Sequence, residues 1–191
     1  EIQDAVNLST RMLQDTTFPS RLRSLFEASD ALPESLELEI TESAMMMDPS
    51  RALKVVRDIH ELGVRIAVDD FGTGFSSLGY LRDLPLHALK LDKSFVLNMR
   101  TREDDRVIVE STIQMARALR LHVVAEGVET EWDARFLAAV GCDFAQGFYY
   151  SRALTADACT DFVRDFNATA VSRRAARPAA PSIGNITYRR P

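Results

Sequence analysis

Short apolar runs rich in β-branched residues alternate with amphipathic stretches along the chain, and this rhythm restricts the fold more than any other feature. The apolar runs predict strands over residues 5–9, 36–40, 65–68, 87–91, 122–125 and 143–147. The amphipathic stretches predict helices over residues 21–28, 49–62, 104–119, 131–140 and 156–166. Strands that alternate with helices pair in parallel, because each connection must cross a face of the sheet. The pattern therefore predicts an α/β fold, either an open doubly wound sheet or a closed barrel.

Charge is unevenly distributed along the chain. The formal net charge is −5, yet residues 167–191 contain several arginines and no acidic residue, so the rest is more acidic than the whole. An acidic body argues against DNA binding, because neutralising phosphates requires clustered Lys or Arg. Residues 167–191 are rich in Arg, Ala and Pro without periodicity. We therefore expect a folded domain over residues 1–166 and a disordered tail over residues 167–191.

Cysteine content and hydropathy bear on the cellular compartment. Cys142 and Cys159 are the only cysteines and lie in apolar surroundings, which favours a reduced, cytoplasmic protein over a disulfide framework. No apolar run approaches the roughly 20 residues that a membrane span requires. We expect no membrane insertion by this segment, although the parent protein could be anchored through upstream segments.

Polar side chains lie at or near the carboxyl end of each predicted strand, at intervals close to one β–α unit. They are Asn7, Glu39, Asp69, Asp70, Lys90, Asp92, Glu126 and Gln146. In a parallel barrel these positions collect on one rim, where barrel active sites are built. Carboxylates and one amide oxygen are hard donors that favour Mg²⁺ or Mn²⁺ over zinc. Two such ions suit an in-line displacement at phosphorus.

Each of these residues also has a simpler interpretation. A strand-end Asn or Glu commonly caps a helix or lies on the surface. The adjacent carboxylates of Asp69 and Asp70 favour a site more strongly, because they would repel each other without a cation. Gly72 and Gly74 fit either a simple turn or a mobile active-site loop. Lys90 could hold an attacking water or offset phosphoryl charge, and Glu126 could orient or deprotonate that water.

Six ordered motifs give the chain a family resemblance. In order they are Asn7-Leu8-Ser9, Glu39-Ile40-Thr41-Glu42, Asp69-Asp70-Phe71-Gly72-Thr73-Gly74, Lys90-Leu91-Asp92, Glu126-Gly127-Val128-Glu129-Thr130 and Gln146-Gly147-Phe148. Together they resemble the EAL-domain phosphodiesterases over roughly residues 5–166. The resemblance implies hydrolysis of cyclic di-GMP to linear pGpG on a modified TIM-type barrel.

The resemblance also assigns roles by position. It implies that two Mg²⁺ or Mn²⁺ ions are held by Asn7, Glu39, Asp69, Asp70 and Glu126, with Asp69 bridging. Lys90 would position the hydrolytic water and Glu126 would assist its deprotonation. Substrate and metal would be supported by Asp92, Glu129 and Gln146. Glu42 would brace the loop that contains Gly72 and Gly74, which in this family links metal binding to dimerisation.

The chain departs from the family pattern at its start. The Glu-Ala-Leu motif, whose glutamate also binds metal, is absent, and about six of eight barrel strands are present. We expect the piece alone to be impaired as an enzyme. A non-catalytic cyclic di-GMP receptor and a protein-interaction module remain alternatives. A homodimer and an upstream sensory or GGDEF-type domain are expected by family analogy only.

Overall fold

A single parallel sheet organises the protein, for which the computed structural model describes residues 4–74 and 78–175. Six strands lie side by side in the order of the sequence, and every neighbouring pair is parallel. The strands are β1 Asp4–Asn7, β2 Leu36–Thr41, β3 Arg65–Phe71, β4 Ala88–Leu91, β5 His122–Ala125 and β6 Phe144–Ala145. The predicted alternation of parallel strands and helices is confirmed. Two strands differ most in length: β6 is shorter than the predicted strand over residues 143–147, and β3 extends beyond the predicted strand over residues 65–68.

Helices lie between successive strands and after the last one. They are α1 Thr10–Leu13, α2 Phe18–Glu27, α3 Glu42–Met46, α4 Pro49–His60, α5 Leu78–Asp83, α6 Lys93–Asn98, α7 Glu103–Ala118, α8 Glu131–Val140 and α9 Ala156–Ala175, with a 3₁₀ turn at Pro33–Ser35. The short helices α1, α3, α5 and α6 are not predicted by the sequence pattern. One or two turns contain too few residues to show a helical period, so tertiary packing decides their conformation.

Helix α4 shows how local chemistry sets an element boundary. Asp48 accepts a hydrogen bond from the Arg51 N–H at 3.2 Å, and Pro49 takes the first helical position, as predicted. The helix ends at His60, earlier than the predicted residue 62. Gly63 follows in the left-handed region with φ +91°, and its N–H donates to the His60 carbonyl at 2.9 Å. The glycine therefore turns the chain after the helix rather than ending it directly.

The core lies against one face of the sheet. Alternate strand residues such as Ile40, Ile66, Val68 and Leu89 are fully buried in one hydrophobic cluster with residues of α4 and α7. Burying one such side chain contributes about 1.5–3 kcal/mol. Because successive strand residues point to opposite faces, the residues between them, Glu39 and Lys90 among them, line the other face. The apolar core thus fixes a polar face opposite to it.

Both outer strands of the sheet are exposed. All residues of β1 are exposed, including Val6, and Phe144 on β6 is 56% exposed. Within the described residues no strand pairs with the outer edge of β1 or of β6. The expected open edges of a six-stranded part of a barrel are present in this part of the chain.

The carboxyl-terminal part differs from expectation. The chain divides into two compact units between Tyr150 and Ser151, earlier than the predicted domain end at residue 166. Helix α9 continues to Ala175, beyond the predicted helix end at residue 166; residues 176–191 lie outside the described residues. Residues 167–175 contain neither Pro nor Gly and several good helix formers, which explains the extension. None of the described helices has the length and apolar character of a membrane span.

Candidate active site

The carboxyl ends of β2 to β5 bring charged side chains together. Backbone register places Asn7 opposite Glu39 and Thr41 opposite Asp69. The Glu126 N–H donates to the Leu91 carbonyl at 3.2 Å, which fixes the residue that follows β5 beside the end of β4. Parallel strands share one direction, so residues near their ends meet at one edge of the sheet.

Lys90 is the centre of this cluster. Its Nζ lies 2.6 Å from Glu39 Oε1, 2.7 Å from Glu126 Oε1 and 3.3 Å from Asp69 Oδ1. The Lys90 side chain is 6% exposed, and the three acidic side chains are all at most 20% exposed. Four of the residues predicted from the sequence are therefore in direct contact, although they come from four separate stretches of the chain.

The charges of the cluster do not cancel. One ammonium faces three carboxylates, so the site retains an excess of negative charge. Burial by itself lowers the pKa of Lys90, but hydrogen bonds and charges from Glu126 and Glu39 outweigh it and raise the pKa above its ordinary value. Lys90 is thus held as an ammonium, and the remaining negative charge favours a further cation.

Asp70 occupies an unusual backbone position. Its φ is +54°, a left-handed conformation that non-glycine residues rarely adopt, and the pairing of β3 with β4 shifts register between Val68 and Phe71. The Asp70 N–H donates to Asp69 Oδ1 at 3.0 Å. Burial raises the pKa of the Asp70 carboxyl, and the charges of Asp69 and Asp92 raise it further. An irregular strand end therefore crowds carboxylates that a bound cation would relieve.

The donor chemistry fits hard divalent cations. Carboxylate oxygens from Glu39, Asp69, Asp70 and Glu126 and the nearby amide residue Asn7 are the donor types that Mg²⁺ and Mn²⁺ prefer. In the described part of the chain, however, no three His, Cys, Asp or Glu side chains are grouped as a ready metal site. Three of the carboxylates instead share the Lys90 ammonium. The residues fit the metals in charge and donor type.

The remaining predicted residues surround this cluster. Asp92 caps α6, because its carboxylate accepts hydrogen bonds from the Ser94 N–H at 2.9 Å and from the Ser94 hydroxyl. Glu129 and Gln146 line a cavity of about 370 Å³ together with Glu126. Asp92 therefore has a structural role as a helix cap in addition to its charge near Asp70.

Glu42 contacts the predicted loop. It is the first residue of α3 and is 5% exposed, and neither carboxylate oxygen has a hydrogen-bond partner among the described residues. A Cβ on Gly74 would lie 3.2 Å from the Glu42 Cδ, and Gly72 has φ +95°. Glu42 and Gly74 are thus in contact across the start of the loop. Residues 75–77 of this loop lie outside the described residues.

Some residues at the site are not predicted by the sequence to act there. Lys93 and Phe148 line the same cavity as Glu126 and Glu129. The sequence points to these two residues only because they neighbour predicted site residues: Lys93 follows Asp92, and Phe148 follows the Gln146-Gly147 pair. A second cavity of about 410 Å³ is lined by Glu37, which lies two residues before Glu39 on the same face of β2. It is not lined by the Lys90 cluster.

The sequence has relatives among known proteins. The family model described as EAL domain matches residues 1–153. The cyclic di-GMP phosphodiesterase NbdA of Pseudomonas aeruginosa is 40% identical over 162 residues, which cover 85% of this chain and 21% of that protein. The chain spans about a fifth of the length of the curated relatives it matches.

Solved structures agree with the fold. The PaMucR phosphodiesterase in complex with c-di-GMP superposes with a TM-score of 0.79 and 38% identity, covering 82% of this chain and 64% of that one. The EAL domain of Mycobacterium smegmatis DcpA gives a TM-score of 0.78 and 35% identity, with coverages of 84% and 72%. The predicted TIM-type barrel, truncated to about six strands, is confirmed by these neighbours and by the parallel sheet.

Proposed function

Because the chain belongs to the EAL domain family, we propose that it carries catalytic residues of a metal-dependent phosphodiesterase that hydrolyses cyclic di-GMP to linear pGpG. The observation that supports this most is the contact of Lys90 with Glu39, Asp69 and Glu126 at the carboxyl ends of the strands. The names of NbdA and PaMucR point to the same substrate.

The proposed reaction attaches a water oxygen to phosphorus and breaks the bond from phosphorus to one bridging sugar oxygen. Glu126 accepts the proton that the attacking water loses, and the leaving sugar oxygen takes a proton from solvent. Lys90, which stays an ammonium, donates hydrogen bonds to the attacking or phosphoryl oxygen and offsets the negative charge that develops there. The 2.7 Å contact between Lys90 Nζ and Glu126 Oε1 keeps both groups beside the same water.

We further propose that Asn7, Glu39, Asp69, Asp70 and Glu126 hold two divalent cations, Mg²⁺ or Mn²⁺. When bound, such ions polarise the phosphoryl group and acidify water. The excess negative charge of the Lys90 cluster supports this proposal, because a phosphodiester is itself anionic and would otherwise be repelled.

The outer residues have proposed roles as well. Glu129 and Gln146 line the cavity that contains Glu126 and would support substrate there. Asp92, whose charge acts on Asp70, would support the metal and substrate from that side. The buried Glu42 carboxylate next to Gly74 would control the loop. A homodimer remains a prediction, and so does an upstream sensory or GGDEF-type domain.

The direct test is hydrolysis of cyclic di-GMP with Mg²⁺ or Mn²⁺ by a protein that carries this chain together with a Glu-Ala-Leu segment. Glu39→Ala and Asp69→Ala are expected to reduce turnover at least about 100-fold, since each removes a group at the reacting centre. Glu37→Ala is the matched control, because Glu37 lies on the same strand and face but outside the Lys90 cluster.

Two outcomes would count against the proposal. If Glu39→Ala turned over cyclic di-GMP at the same rate as Glu37→Ala, Glu39 would have no role in catalysis. Tight binding of cyclic di-GMP by calorimetry without hydrolysis would instead identify a receptor.

A further inference from the structure

Gly127, directly after Glu126, lies against the first residue of α6 with no room for a side chain. A Cβ on Gly127 would lie 2.6 Å from the Lys93 Cβ and 3.2 Å from its Cα. Carbon atoms in contact normally lie about 3.5–4.0 Å apart. A methyl group at residue 127 would therefore force the two backbones apart by about 1 Å.

The other side of this segment is also fixed. The Val128 N–H donates to the Gln146 carbonyl at 3.0 Å, and the Val128 carbonyl accepts from the Tyr149 N–H at 2.9 Å. A Cβ on Gly147 would lie 2.2 Å from the Val128 carbonyl oxygen. Val128 is fully buried. The segment that carries Glu126 is thus confined between α6 on one side and the residues after β6 on the other.

The distance from Glu126 to Lys90 depends on this confinement. Glu126 Oε1 lies 2.7 Å from Lys90 Nζ, and a hydrogen bond of this kind is lost when the atoms separate by about 1 Å. We propose that Gly127 is a positioning residue: its missing side chain lets Lys93 pack against the segment backbone, and this contact sets the distance between Glu126 and Lys90. The expected effect on turnover rests on the proposed function. The expected effect on the distance between Glu126 and Lys90 does not depend on that function.

The structure provides a test that separates the contact from other effects. Lys93→Gly removes the Cβ that a methyl at residue 127 would strike, whereas Lys93→Ala removes only the rest of the side chain and its charge. Lys93→Gly is therefore expected to relieve the steric clash that Gly127→Ala introduces. Lys93→Ala keeps the Cβ and is expected to leave the clash in place. Gly63→Ala controls for backbone strain, since Gly63 has a similar φ of +91° but an added Cβ would meet only the Pro33 Cβ at an ordinary 3.5 Å.

The first measurement is the NMR signal of the Lys90 ammonium in metal-free protein, which reports its ion pairs without turnover. Gly127→Ala is expected to shift this signal, the double variant with Lys93→Gly to return it toward the wild type, and the double variant with Lys93→Ala to leave it shifted. Gly63→Ala leaves the signal in place. Should Gly127→Ala fail to fold, recovery of folding by Lys93→Gly but not by Lys93→Ala carries the same information.

The second measurement is kcat for cyclic di-GMP. Gly127→Ala is expected to lower kcat about 100-fold, as a misplacement of about 1 Å does, with a smaller change in KM. Lys93→Gly in the double variant restores at least about a tenth of the wild-type kcat. Equal rescue by Lys93→Ala, or an unchanged Lys90 signal in Gly127→Ala, would overturn the inference. A wild type without turnover but with the expected NMR pattern would reject the proposed function alone.

Discussion

Replacing Lys90 by Met tests the electrostatics of the site most sharply. The change keeps an unbranched side chain and removes the ammonium that lies within 3.3 Å of Glu39, Asp69 and Glu126. Breaking a buried ion pair by removing one partner costs about 3–5 kcal/mol, because the remaining charge is left uncompensated. We expect Lys90→Met to lower the free energy of unfolding by about that amount at neutral pH without added metal.

The pH dependence of Lys90→Met follows from the sign of the pKa shift. The pKa of Lys90 is raised in the folded protein, so its contribution in the wild type is fully present below the unfolded pKa. That contribution is lost only as the pH rises through the folded pKa. The stability difference between wild type and Lys90→Met should therefore hold across neutral pH and shrink only as the pH rises above the unfolded pKa of lysine.

The assay is urea denaturation in a chelator and again with Mn²⁺, with Lys54→Met as the matched control. Lys54 is an exposed lysine on α4, and its replacement should change the free energy of unfolding by less than about 0.5 kcal/mol. Mn²⁺ should recover part of the stability lost in Lys90→Met, because the cation compensates the same carboxylates. A loss below about 1 kcal/mol in the chelator, or no response to Mn²⁺, would refute the reasoning.

Three further predictions concern the fold and the strand end. Thr130→Ala should lower the free energy of unfolding by about 1 kcal/mol in urea denaturation, because Thr130 Oγ1 accepts from the Asp133 N–H at 3.2 Å in a capping box; an unchanged stability would contradict that capping role. Asp70→Gly should raise stability by about 1 kcal/mol while turnover is lost, since glycine accepts φ +54° without strain; a less stable protein would argue against stored strain. Leu89→Ala should cost about 2–5 kcal/mol by thermal unfolding, because Leu89 is fully buried in the core; a loss near zero would mean that the core collapses around it.

The convergence of the site could be predicted because it depends only on strand direction. Glu39, Asp69 and Lys90 lie within two residues of the carboxyl end of a strand and Glu126 just after one, and parallel pairing brings such positions together. The β-branched runs identified those strands, and buried residues such as Ile66 and Leu89 confirm the faces. The strand pattern in the sequence was therefore enough to predict which charged residues lie together at the ends of the strands.

Other features depend on tertiary contacts that have no local pattern. The left-handed conformation of Asp70 comes from an irregular end of β3, and the approach of Lys93 to Gly127 joins two separate connections. The sharing of one ammonium by three carboxylates depends on side-chain rotamers that spacing does not determine. Helix α9 extends beyond its predicted end at residue 166. Residues 167–175 lack the apolar periodicity that would have predicted a helix, but they contain Ala and Arg, which are good helix formers.

Anomalous diffraction at the manganese edge, on crystals soaked in Mn²⁺, tests most directly whether these side chains form a metal centre. Two peaks are expected beside Glu39, Asp69, Asp70 and Glu126, and the Asp69→Asn variant should lose at least one of them. Full soaking with no peak near these carboxylates, or peaks that persist unchanged in Asp69→Asn, would contradict the proposed two-cation phosphodiesterase site.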